Sequence, residues 1–140
     1  MPLLPEEIHQ RLAGEFKYAA AKVAEAEDLP GKVYYFSVFF GETGRQLNNH
    51  WNADLALLHN VVQLACQVIP QVAQLPAIAA PPHVEFLHAI DTVSVELAAA
   101  FETPELDMPR FYAAVARIAE LTHLVSGNGA YLYQKGMIKL

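Results

Sequence analysis

The sequence predicts an all-α fold, a four- to five-helix bundle with a short ordered C-terminal tail, within a single helical domain over residues 1–140. Three observations predict it. Apolar residues recur at steps of three and four through long segments, the period of helices buried along one face. The connections between those segments are short, as between the staves of a bundle. The composition, 54% apolar and 17% charged, exceeds the apolar share of an average soluble domain, which excludes a disordered chain. At 140 residues one hydrophobic core is expected.

The first expected helix covers 5–28. Pro5 suits a first helical position, and Glu6 and Glu7 complement the positive end of the helix dipole. Ile8, Leu12, Phe16, Ala19, Val23 and Ala26 share one face, and Leu29-Pro30-Gly31 is expected to stop the helix. The segment 32–75 carries a conflict. Val33 to Phe40 has strong strand propensity and Gly41-Glu42-Thr43-Gly44 resembles a turn. Yet one helical stripe runs through Phe36, Phe40, Thr43, Leu47, Trp51, Asp54, Leu58, Val61, Ala65 and Val68 or Ile69. Phase sustained over that length outweighs propensity over eight residues. Helix is therefore expected, with room for a break near Gly41–Gly44 or Asn48–Asn52. Pro70 should end or kink it, and Pro76, Pro81 and Pro82 make 76–82 a linker. Residues 82–102 carry Phe86, Ile90, Val93, Leu97 and Phe101 on one face, and 108–126 carry Phe111, Ala114, Val115, Ile118, Leu121, Thr122 and Val125. Ser126-Gly127-Asn128-Gly129 offers a left-handed cap. The tail 130–140 is short, apolar and aromatic.

Charge and motifs exclude several function classes. The net charge is −6, and the nine Lys and Arg residues are scattered. A binder of duplex nucleic acid or of an anionic membrane gathers basic residues, so neither partner is expected. The longest aliphatic and aromatic run, Val33 to Phe40, falls short of the roughly 18–20 residues a spanning helix needs. The single cysteine, Cys66, excludes an intramolecular disulfide framework. It reads as a small buried hydrophobe. The N-terminus lacks the basic start and apolar core of a signal peptide, so a cytoplasmic location is expected. Gly41-Glu42-Thr43-Gly44-Arg45 lacks the lysine and preceding strand of a phosphate loop, and no cofactor is expected.

The candidate sites are few. Glu85–His88 and Glu120–His123 have the Glu-x-x-His spacing of di-metal bundles, but at about 100° per residue both pairs fall away from the core stripes. Asp54 falls within an apolar stripe, with His50 one turn earlier and Glu15 beside the stripe of the first helix. A carboxylate there needs a partner, so Glu15, His50 and Asp54 form a candidate buried polar cluster, structural or metal-holding. His9 is placed on the exposed side of its helix, and His59 and Asn60 face solvent or a partner. Arg45-Gln46-Leu47-Asn48-Asn49-His50 resembles, over six residues, the Arg-x4–6-His motif of the HEPN superfamily, all-α bundles that include metal-independent ribonucleases. The resemblance implies phosphate stabilisation by Arg45 and acid–base work by His50.

The aromatic run gives the leading reading. Tyr34, Tyr35, Phe36, Phe39 and Phe40 occupy all sides of a helix, and such a helix needs cover all round. A second copy of the chain supplies that cover economically. The expected function is a non-enzymatic interaction module acting as a homodimer, its interface drawn from Tyr34, Tyr35, Phe39, Tyr131 and Tyr133. The alternative is a HEPN-like ribonuclease using Arg45 and His50.

Overall fold

The computed structural model of the chain describes residues 6–47, 53–79, 84–103, 105–125 and 129–137, and at 53, 54, 77, 79, 130 and 132 the backbone alone. These residues form an all-α bundle with no strand among them. Helix α1 spans Glu6–Glu25 and buries Leu12, Phe16, Ala19 and Val23. His9 continues that stripe one turn upstream. It is 7% exposed, not on the outer face, because it lies three residues before Leu12 in the same phase. Its Nε2–H donates to the Phe101 carbonyl at 2.9 Å, with the rings 5.2 Å apart.

Leu29-Pro30-Gly31 starts a helix rather than only stopping one. The Asp28 side chain accepts the Gly31 N–H at 2.7 Å and caps α2, Leu29–Tyr35. Proline fits the first turn, where its missing N–H has no intrahelical partner to lose. The rod then continues without a break through a π-helical turn, π1 (Phe36–Phe40), into α3 (Gly41–Gln46). Residues 33–40 are helical, as the stripe requires, with the middle turn widened. Gly41–Gly44 makes no turn. A Cβ on Gly44 would lie 2.7 Å from Val62 Cγ1, so this glycine permits close approach of α3 to its neighbour rather than chain reversal.

Helix α4, Ala53–Ala73, runs through Pro70. Pro70 lacks the N–H that would donate to the Cys66 carbonyl, but only the last turn follows it, and Ile69 and Val72 on either side are buried. The segment expected as linker contains α5, Pro76–Ala79, whose Ile78 is buried. Then follow α6 (Val84–Ala99), α7 (Met108–Val125) and α8 (Gly129–Gln134). Gly129 belongs to α8, and among the described residues the left-handed glycine is Gly136, with φ 73°. Residues 126–128, where the cap was expected, lie outside the described residues.

The long elements close a ring. Helix α1 packs along α6, α6 along α7 and α7 along α4, while α2–π1–α3 fills the gap between α4 and α1. Phe16, Phe36, Phe40, Phe86, Phe101 and Phe111 fill the centre, and α8 lies against α5 and α7. One expectation is corrected here. Leu55–Ala73 is long and apolar enough to cross a membrane by length and composition, with a mean hydropathy of 1.3. Uncharged His59, Asn60, Gln63 and Gln67 interrupt its apolar run without much lowering that mean. Its inner face, from Leu55 and Leu58 through Val62, Ala65 and Ile69, is buried in the bundle.

Candidate functional site

The inner side of the 29–46 rod belongs to the core, with Phe36 stacked on Phe40 at 4.6 Å. The outer side is different. Tyr34 is 61% and Val38 42% exposed, and Tyr35 and Phe39 are half-buried. Four rings form a series from this face onto α1: Tyr34 to Tyr35 at 5.5 Å, Tyr35 to Phe39 at 5.8 Å, and Phe39 to Tyr18 at 5.5 Å. Tyr18 is itself 54% exposed. Val38 and Phe39 lie within the π turn, a helical irregularity frequent at functional sites.

A cleft of about 390 Å³ lies between this rod and α1, lined by Arg11, Gly14, Glu15, Tyr18, Phe39, Glu42, Thr43 and Gln46. Arg11 and Glu15 are four residues apart on one helix, a spacing that suits a direct ion pair. Instead the Gln46 amide stands between them. Its Oε1 accepts from Arg11 Nη2 at 3.3 Å, and its Nε2 donates to Glu15 Oε2 at 2.8 Å. Opposite charges are thereby held apart at the rim of an aromatic-walled cleft. Gly14, exposed on α1, lies along its edge, and a Cβ there would meet nothing within 4 Å. A glycine inside a helix costs about 1 kcal/mol relative to alanine, and no contact within the chain requires one here. On the rod's other flank an apolar cleft of about 540 Å³ is lined by Leu29, Pro30, Val33, Tyr34, Ser37, Pro70, Ala73 and Gln74.

The predicted site residues are dispersed over the bundle, with Tyr131 and Tyr133 on α8 against α5 and α7 rather than beside the rod. Arg45 is exposed and paired with Glu42 at 3.5 Å. His50 and the Asp54 side chain lie outside the described residues, so the pairing of Arg45 with His50 and the cluster of Glu15, His50 and Asp54 fall outside them too. Glu15 itself is half-buried and engaged with Gln46. Tyr131 is 56% exposed, with Lys135 Nζ 5.5 Å from its ring centroid. Tyr133 is half-buried and donates its hydroxyl to Glu85 Oε2 at 3.0 Å. Burial, reinforced by the Glu85 carboxylate, raises its pKa above the ordinary tyrosine value. Glu85, His88, Glu120 and His123 are exposed, as their helical phase places them. Among the described residues no group of three His, Cys, Asp or Glu is arranged to hold a metal ion.

His59 does not simply face solvent. It is half-buried, and its Nδ1–H donates to the Gly44 carbonyl at 2.9 Å, beside a 3.5 Å contact from Gln63 Nε2 to the Gly41 carbonyl. Cys66, half-buried against Gly41, has its thiol pushed up to about 11 by burial, opposed by the positive charge of Arg45. The protonated thiol is a poor nucleophile. Sequence reasoning missed the Arg11–Gln46–Glu15 relay and the buried Lys32. Lys32 is 5% exposed and donates from Nζ to Asp91 Oδ1 at 2.7 Å and to the Val23 carbonyl at 2.9 Å. The available signals were a lone glycine in an alanine-rich helix and a lysine in phase with Leu29 and Phe36.

Compared with family models, with curated proteins and with solved structures, the chain matches none.

Proposed function

We propose that this protein is a non-enzymatic helical-bundle interaction module that acts in the cytoplasm as a homodimer, with the outer face of the 29–46 rod as its contact surface. One observation carries the reading: the ring series Tyr34–Tyr35–Phe39–Tyr18 runs across the surface from the rod to α1, and both of its ends are more than half exposed. Aromatic side chains supply large contact area at low entropy cost and are enriched at interfaces. The electrostatics favour a second copy as the partner. Each chain carries −6 overall, which repels another copy, but Arg11 and Arg45 balance Glu15 and Glu42 around this face. A locally neutral patch with both signs suits an isologous contact, in which each surface meets itself.

Light scattering coupled to size exclusion at low micromolar concentration tests the reading. The expected mass is twice that of the chain, returning to one chain when Tyr34 and Val38 are both replaced by Glu. A monomeric wild type would remove it.

A further inference from the structure

We infer that α8 is a strap over α5, fastened to the start of α6 by the Tyr133–Glu85 hydrogen bond, and that α5 and α8 open together while the rest of the bundle stays folded. Neither helix is long enough to stand alone. Helix α5 has four residues and α8 has six, well below the roughly 12–15 at which an isolated helix becomes even marginal in water. Each depends on what it packs against, and they lie against each other. Helix α5 contributes Ile78 to the core, on a turn closed by the Ile78 N–H donating to the Leu75 carbonyl at 3.0 Å. Helix α8 is held more lightly. Of the side chains described on it and on the turn after it, Tyr131, Gln134, Lys135 and Met137 are exposed and Tyr133 is half-buried.

Tyr133 makes two attachments. Its ring packs against the core, and its hydroxyl donates to Glu85 Oε2 at 3.0 Å. Glu85 stands in the first turn of α6, 48 residues away in sequence. That helix is secured along its length by Phe86, Ile90, Val93 and Leu97, all buried. The hydrogen bond thus fastens a lightly held element to a firmly held one. Elements with few buried apolar contacts open at lower free energy than the whole domain. Opening here withdraws the cover from Ile78 and leaves α1, α6, α7 and α4 packed along one another. The open state presents apolar surface at this end of the bundle that the closed state hides.

Amide hydrogen exchange of the full chain, read residue by residue by nuclear magnetic resonance, tests the inference. The amides of Lys135 and Gly136 donate to the Tyr131 and Tyr133 carbonyls, as that of Ile78 does to Leu75. In wild type these three should exchange together, about tenfold or more faster than amides inside α1 and α6. Tyr133→Phe keeps the ring and removes the hydroxyl. It should speed all three by roughly three- to tenfold, the worth of one partly exposed hydrogen bond, with α1 and α6 unchanged. Glu85→Ala should do the same, and adding Tyr133→Phe to it should change nothing further. Glu85 is exposed and Tyr133→Phe loses one oxygen, so circular dichroism should show every variant folded. Exchange in α8 no faster than inside α6 would overturn the inference. So would a Tyr133→Phe variant that leaves α8 unchanged, or one that speeds α8 and not Ile78. A monomeric chain would open in the same way, so the outcome is independent of the homodimer.

Discussion

The two sides of the 29–46 rod carry similar residues to opposite ends. Phe36 and Phe40 on the inner side are wholly buried, and Lys32 beside them is buried and doubly hydrogen-bonded. Tyr34 and Val38 on the outer side are more than two-fifths exposed, and the cation on that side, Arg45, holds only Glu42 at the surface. The contrast teaches that the apolar excess of this segment is not all needed for the fold. One side closes the ring of helices, and the other leaves Tyr34 and Val38 exposed. Substitutions on the two sides should therefore separate stability from association. Phe40→Ala should cost about 3–5 kcal/mol, because the ring touches Phe16 and Phe36 and leaves a cavity. Tyr34→Ala should cost under about 1 kcal/mol, as for an exposed substitution. Urea denaturation monitored by circular dichroism checks both, and equal losses would erase the distinction.

Lys32 gives the next largest effect. Its ammonium joins the end of α1, through the Val23 carbonyl, to Asp91 on α6. Lys32→Ala strands the Asp91 carboxylate, although that side chain is 37% exposed and can be partly rehydrated. The expected loss is therefore about 2–3 kcal/mol, below the range for a fully buried pair. Arg45→Ala, removing a pair between side chains about 70% exposed, should change stability by no more than about 0.5 kcal/mol. The same denaturation measurement compares them.

The glycines sharpen the comparison further, because one faces inward and one faces the cleft. Gly44→Ala drives a methyl to 2.7 Å from Val62 Cγ1, and should cost about 1–3 kcal/mol by overpacking. Combining it with Val62→Ala should recover part of that loss. Gly14→Ala meets open space and should instead stabilise by about 1 kcal/mol through helix propensity. Opposite signs in thermal melts are the expected outcome.

Much of the bundle was legible because burial imposes phase on sequence. The stripes of α1, α6 and α7 and the helical state of 33–40 all follow from steps of three and four. The failures share a cause as well. Leu29-Pro30-Gly31 reads by residue type as a stop, and Gly41–Gly44 leaves room for a break within an expected helix, where the structure uses Pro30 in a first turn and Gly44 as a packing notch. Whether a glycine turns the chain or admits a neighbour depends on what packs against it, and local sequence is silent on that. The same holds for Gln46, whose bridge between Arg11 and Glu15 spans more than thirty residues. The aromatic face was visible as a surplus of apolar residues around one helix. The cleft beside it was not, because it exists only where α1 and the rod meet.

The smallest effect belongs to Cys66 on α4, which packs against the rod with its Sγ 3.7 Å from the position of a Gly41 Cβ. Burial raises the thiol from its ordinary 9.0 to about 11. The folded state therefore favours the protonated thiol. The sign follows from proton linkage: a group whose folded pKa is raised contributes stability that is fully present below the unfolded value and is lost as pH rises through the folded one. Here that window is about pH 9 to 11. At pH 8 the folded chain should hold about a hundredfold less thiolate than the unfolded chain, and reaction with a thiol-specific disulfide reagent should slow accordingly. Cys66→Ala should leave stability at pH 7 within about 1 kcal/mol, since little volume is lost at a half-buried site, and should flatten the decline between pH 9 and 11. A thiol that reacts in the native protein as fast as in urea would show that the contact of α4 with Gly41 does not cover Cys66.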